Sequence, residues 1–172
     1  MNVLFVCTGN ICRSPMAERV CWGVADRANV DIAASSAGVG ALNGRPMHPF
    51  TAEVLNENGY DATNFESRYL LPRVLADADI VLCLTREHRA ACQRMLPVRW
   101  RRMFTLVEFD ELTSAIAEGG IDAVMAERGR VDTNAESLDI VDPMGQPKEH
   151  FVRVYQQIAP RVEALVDWAG RQ

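Results

Sequence analysis

The stretch VLFVCTGNICRSPMAE, residues 3–18, places two thiols, Cys7 and Cys12, beside one guanidinium, Arg13. A cysteine with an arginine six residues on can attack and hold a phosphoryl group: the thiolate is the nucleophile, and the guanidinium offers paired donors to phosphate oxygens. The bare spacing decides nothing here, because it occurs three times, at Cys7/Arg13, Cys21/Arg27 and Cys83/Arg89. Context separates them. Cys21 falls in mid-helix, where residues six apart do not share a face. The segment CLTREHR from Cys83 carries bulky charged residues and no glycine. Only CTGNICR contains Gly9 and Asn10, which tolerate left-handed backbone angles, between an apolar run and a helix start. There the amides of Thr8, Gly9, Asn10, Ile11, Cys12, Arg13 and Ser14 can turn inward as an anion cradle. The same positive field favours the thiolate of Cys7.

A phosphate ester also needs its leaving oxygen protonated, so a carboxylic acid is expected across the loop. The segment DIVDPMGQP supplies Asp142-Pro143, with Asp139 as the alternative.

Elements must hold these groups together. NVLFV (2–6) is a short, continuous apolar run, as in a strand buried on both faces. DIAASSAG (31–38) and ADIVLCLT (78–85) have the same character, and RMFTL (102–106) is a weaker fourth strand. Ser14-Pro15 starts a helix that runs to about Arg27. HPFTAEVLNENGY predicts a helix stopped at Gly59, and TREHRAACQRML another, ended by Pro97. The last helix begins near Pro147, carries Phe151, Val154, Ile158, Val162 and Leu165 at helical spacing, and should kink at Pro160. Strands alternating with helices predict an α/β fold: a four-stranded parallel sheet with helices on both faces and the phosphate-binding loop after the first strand. In such sheets ligands sit at the carboxyl ends of the strands, which is where Cys7 falls. Residues 110–139, with patches ELTSAIAE and IDAVMAERG around Gly119-Gly120, are expected to form a helical excursion within one domain spanning 1–172.

With 172 residues and a net charge of −5, the chain has no broad basic surface for nucleic acid or anionic membrane. VRWRR (98–102), its one local basic cluster, is expected to be a solvated loop. No apolar run approaches the ~20 residues of a membrane span, and the N-terminus lacks the basic n-region of a signal peptide. Five cysteines, an odd number, predict free thiols in a reducing, cytoplasmic setting.

The run VCTGNICRSPMAE, the Asp142-Pro143 pair and the strand–helix order resemble the low-molecular-weight protein-tyrosine phosphatases. The resemblance implies that Cys7 attacks phosphorus to form a phosphocysteine, with Arg13 binding and Asp142 as the acid, and without metal or cofactor. It implies that Ser14 donates to the thiolate, and that Asn10 shapes the loop with help from Ser36. It further implies that Cys12 is a redox partner of Cys7. The expected partners are a phosphorylated protein and, in the site, inorganic phosphate or similar oxyanions; the expected state is a monomer.

The chain departs from the family where a phenol ring should be walled. The usual aromatics are replaced by Met144 and by Leu42-Asn43, leaving Ile11, Leu42 and Met144 as the expected walls. A branch of the family acting on protein phosphoarginine is therefore an alternative, and SAGVGA and MFTLVEF resemble it. Ile11 opposes that branch, whose loop carries Thr there. Thiol-dependent arsenate reductases are a third possibility. They need two further mobile cysteines, whereas Cys83 and Cys92 lie in a strand and a helix and are expected to be buried. A non-catalytic phosphoprotein-binding module would be expected to lack Cys7 or Asp142, and both are present.

Overall fold

The computed structural model describes residues 1–116 and 119–172. Four parallel strands form one sheet in the order β2-β1-β3-β4: β1 Asn2–Cys7, β2 Ala33–Gly38, β3 Ile80–Cys83 and β4 Met103–Thr105. The central pair is buried on both faces, with Val3 to Cys7 and Ile80 to Cys83 all in the core. That is why these strands read as unbroken apolar runs.

The helices are α1 Arg13–Ala28, α2 Pro49–Glu57, α3 Pro72–Ala76, α4 Arg86–Met95, α5 Leu106–Ser114, α6 Ile121–Ala126 and α7 Lys148–Gly170. Alternation along β1 divides the core. Val3, Phe5 and Cys7 pack with α1, α2 and α7, while Leu4 and Val6 pack with α3 and α4. Helix α7 runs as one element through Pro160 and buries Ile158, Ala159 and Val162 around it.

Two local expectations need correction. Short α3 has no counterpart in the sequence prediction. The basic cluster is solvated as expected, with Val98, Trp100 and Arg101 exposed, but instead of a loop it forms part of a 3₁₀ turn, Pro97–Arg102, whose Arg99 and Arg102 donate to the carbonyls of Ala78 and Asp79.

The excursion is tied down by arginines. Glu108, fully buried, caps its own helix by accepting from Thr105 N and pairs with Arg89 at 2.5 Å and Arg128 at 2.7 Å. Arg89 also donates to Thr133 O. Helix α5 begins earlier than expected because Thr105 and Glu108 form a capping box; Ala117 and Glu118, the end of the predicted ELTSAIAE patch, lie outside the described residues. Arg86 holds Asp139 through its backbone N at 2.7 Å and its side chain at 2.9 Å. Ile140 N then donates to Leu84 O. The excursion thus delivers residues 140–142 to the carboxyl edge of β3.

Candidate active site

The loop after β1 lies at the point where the sheet order reverses, β2 to one side and β3 to the other, the usual ligand position in open α/β sheets. Gly38 lets it close. A Cβ there would stand 2.9 Å from Asn10 N and closer still to the Thr8 carbonyl. Beyond Gly38 the chain clasps the loop, with Val39 N donating to Cys7 O and Gly40 N to Thr8 O. His48 N donates to Ile11 O from the start of α2.

Within the loop, Asn10 alone takes the left-handed conformation, at φ 53°; Gly9, expected to share it, does not. The turn aims Asn10 N at Cys7 Sγ, 3.3 Å away. Ser14 Oγ lies 2.9 Å from the same sulfur. The Asn10 amide is the hub: Nδ2 donates to Ser14 Oγ at 3.0 Å and to Ser36 Oγ at 2.8 Å, while Oδ1 accepts from Arg68 N at 2.8 Å. Ser36 donates onward to Glu18 at 2.6 Å. Burial pushes the Glu18 carboxyl up despite that bond and Arg19. The amides of Thr8, Gly9, Ile11 and Cys12 donate to no protein atom among the described residues, and Cys12, the N-cap of α1, adds no side-chain cap. An uncapped helix start behind free amides is an anion site.

Arg13 is buried across the loop. It donates to Ile140 O at 2.9 Å and to Asp142 at 2.7 Å, and its buried Nε has no partner among the described residues. A further acceptor at that donor is what an oxyanion would supply. Cys7, Thr8, Gly9, Ile11, Cys12, Arg13, Asp142 and Met144 line a cleft of about 150 Å³. Asp139 is not the acid facing it. Although burial pushes its carboxyl up, the hydrogen bonds from Arg86 outweigh this and hold it below the usual range.

The structure brings together Cys7 to Ser14, Ser36, Asp142 and Met144 as expected. Leu42 it places elsewhere: 65% exposed, the side chain lines an adjoining groove of about 460 Å³ with Arg45, Pro46 and Met47. Ile11 borders both spaces. Cys12 is buried, and burial, Asp142 and Cys7 together push its thiol up to about 12. Cys83 and Cys92 do touch, sulfur to sulfur at 3.7 Å, but they are wholly buried among the side chains of the opposite sheet face from Cys7. They cannot relay electrons to it without unfolding.

Sequence reasoning missed four residues: Gly38, Glu18, Arg68 and His88. Glu18 was reachable, being four residues after Ser14 on one helix face. His88, whose Nε2 lies 2.8 Å from Thr8 Oγ1, had only the signal of Thr85 as a helix cap. Gly38 and Arg68 act through contacts distant in sequence, and nothing local marks them.

A thiol ringed by hydrogen-bond donors, an arginine with a donor to spare and a carboxylate within reach are matched to phosphoryl transfer through sulfur, and the class follows: a cysteine-dependent phosphatase built on a parallel α/β sheet. Comparison with known proteins narrows this. The model of the low molecular weight phosphotyrosine protein phosphatases matches residues 2–172, and the chain belongs to that family. It is 29% identical over 172 residues to the protein-arginine-phosphatase of Bacillus subtilis (strain 168), covering 100% of this chain and 96% of that protein. The low molecular weight protein tyrosine phosphatase of T. tengcongensis superposes with a TM-score of 0.76 at 29% identity, over 97% of this chain and 98% of that one. A YwlE arginine phosphatase variant, solved with its active-site serine phosphorylated, superposes with a TM-score of 0.77 at 26% identity, over 97% and 94%.

Proposed function

We propose that this phosphatase hydrolyses phosphotyrosine in protein substrates, with residues 1–172 working as one domain. The observation that carries the chemistry is the pairing of Cys7 Sγ with Ser14 Oγ and Asn10 N opposite the spare donor of Arg13. The Cys7 thiolate attacks phosphorus, and the bond to the phenolic oxygen breaks as Asp142 protonates it. Arg13 and the free amides hold the other phosphoryl oxygens, so the charge is met without a metal. Asp142, now a carboxylate, takes a proton from the water that attacks the phosphocysteine, and phosphate leaves. Ser14 stabilises the departing thiolate. Support for a nucleophile at this place comes from the YwlE variant, whose active-site serine carries the phosphoryl group.

Ile11 supports the tyrosine reading. Its Cγ1 would lie 3.6 Å from a Cβ on Gly9, so the side chain lies against the loop and can offer an apolar edge to a ring, with Met144 also lining the cleft. A second reading, phosphoarginine, is favoured by the relative matched over the whole chain and by a cleft lined by no aromatic side chain among the described residues. Kinetics on phosphotyrosine and phosphoarginine peptides side by side decide between them. Phosphotyrosine should be preferred, and Ile11→Thr should move the kcat/KM ratio toward phosphoarginine by roughly tenfold. A wild type that favours phosphoarginine overturns the first reading and establishes the second.

We further propose cytoplasmic action, in keeping with five free cysteines, as a monomer, and reversible inactivation by peroxide. Peroxide oxidises the Cys7 thiolate to the sulfenic acid. Cys12 then attacks that sulfur and expels hydroxide, which its proton turns to water, forming the disulfide.

A further inference from the structure

We propose that His88 sets the direction of the Thr8 hydroxyl, turning it into a donor to the phosphoryl group, and so acts as a positioning residue. The proposal rests on the phosphoryl group occupying the Cys7 cleft.

The His88 ring is buried at the start of α4, between two hydroxyls. Nε2 lies 2.8 Å from Thr8 Oγ1, and Nδ1 lies 2.9 Å from Thr85 Oγ1. Thr85 is the N-cap of α4 and accepts from His88 N at 3.2 Å. A neutral imidazole has one N–H and one lone pair, so only one nitrogen donates. Thr85 Oγ1 already serves as an acceptor, and its own proton has Nδ1 within reach. If Thr85 donates there, the ring proton sits on Nε2 and goes to Thr8 Oγ1. Thr8, exposed in the cleft wall beside Cys7 and Arg13, then keeps its proton for the cleft. The chain Thr85 → His88 → Thr8 points donors one way, at the anion.

The opposite tautomer spends the Thr8 proton on the ring. It would turn oxygen lone pairs toward the phosphoryl oxygens and leave the Thr85 proton without this acceptor. An anion in the cleft selects against that arrangement. The choice arises because the ring is neutral: burial and Arg13 push His88 down to about 4, against Asp142 and Asp139. These are the charged groups facing it, Arg13 from α1 and the two carboxylates from the segment before α7.

A double-mutant cycle tests this, using kcat/KM for 4-nitrophenyl phosphate and inhibition by vanadate and by inorganic phosphate. Thr8→Val should lose roughly 10- to 100-fold in kcat/KM, with vanadate weakened more than phosphate, because the donor matters most where charge develops. His88→Leu should lose a similar factor, yet the double variant should be no worse than Thr8→Val by more than about threefold. Thr8→Ser and His88→Gln, whose amide N–H reaches near the Nε2 position, should recover most of the loss. Multiplicative losses in the double variant would assign His88 a merely structural role. Thr8→Val at the wild-type rate would overturn the proposal even if His88→Leu folds poorly. Cys7→Ser separates this from the parent reading: hydrolysis surviving it refutes the thiol mechanism, whereas a multiplicative cycle in an enzyme it silences refutes only the role of His88.

Discussion

Gly38→Ala should damage catalysis and folding together. The new methyl would stand 2.9 Å from Asn10 N and nearer to the Thr8 carbonyl, both backbone atoms of the phosphate loop. Neither neighbour is a flexible side-chain end that could swing aside. To restore ordinary contact, Asn10 must recede by roughly half an ångström and Thr8 by more, at a cost of about 1–3 kcal/mol for overpacking. Loop displacement carries Asn10 N off Cys7 Sγ and disturbs the amide cradle. Because a 1 Å misplacement can cost about 10²-fold, kcat/KM should fall roughly 10- to 100-fold, equivalent to about 1.4–2.7 kcal/mol. Stability should drop by about 2–4 °C in Tm for each kcal/mol of strain. Steady-state kinetics with an aryl phosphate and a thermal melt provide the measurements. Gly40→Ala is the control, since a Cβ there would meet Thr8 Cγ2 at 3.7 Å, an ordinary contact; it should stay within about threefold of wild type. If Gly38→Ala matched Gly40→Ala in rate and Tm, the close approach of β2 to the loop would not be what shapes the site.

Asp142→Asn should slow substrates with poor leaving groups by about 10²- to 10⁴-fold while sparing activated aryl phosphates; equal losses on both would place the acid elsewhere. Peroxide inactivation should leave a Cys7–Cys12 disulfide in peptide maps, and a free Cys12 in the inactive protein would exclude it. Because the Cys12 thiol is pushed up to about 12, ring closure should accelerate roughly tenfold per pH unit near neutrality, as its thiolate fraction grows. Stability should carry the mark of His88, whose pKa drops from 6.5 to about 4 on folding. A depressed histidine contributes stability that is present above pH 6.5 and lost as pH falls toward 4, by about 3 kcal/mol in all. Denaturant unfolding across that range should show this fall in wild type and a flatter profile in His88→Leu; parallel profiles would discount the ring.

Much of the site was legible because its residues are contiguous. Cys7 to Ser14 sit between an apolar run and a Ser-Pro helix start, so strand burial, turn chemistry and helix-terminus electrostatics could be read from neighbours in the chain. The Asp142-Pro143 pair was legible only with that loop in hand, since Asp-Pro by itself is a common turn. The preference for Asp142 over Asp139 rested on the Asp-Pro pair and the family likeness alone; its physical reason was not legible. Both carboxylates stand near the same helix, and what separates them is that Arg86, more than fifty residues away in sequence, takes Asp139.

The four-stranded parallel sheet followed from β1, β3 and the helices between strands, where burial on both faces writes itself as continuous apolar sequence. The helical patches of the excursion were legible, but what anchors them was not, because Glu108 is bound by Arg89 and Arg128, charges that locally look like solvated surface. Leu42 went the same way: its position after β2 suggested a wall, but the direction of the loop turned it into the adjoining groove. Sequence alone determined the nucleophile loop, the likeness of its chemistry to phosphoryl transfer and the order of the elements, because those depend on residues near one another in the chain. Tertiary structure alone decided that Gly38 must be small, that Arg68 braces Asn10, and that His88 meets Thr8. Those depend on which backbone and side-chain atoms converge in space, and hydrogen bonds and steric exclusion reach only a few ångströms.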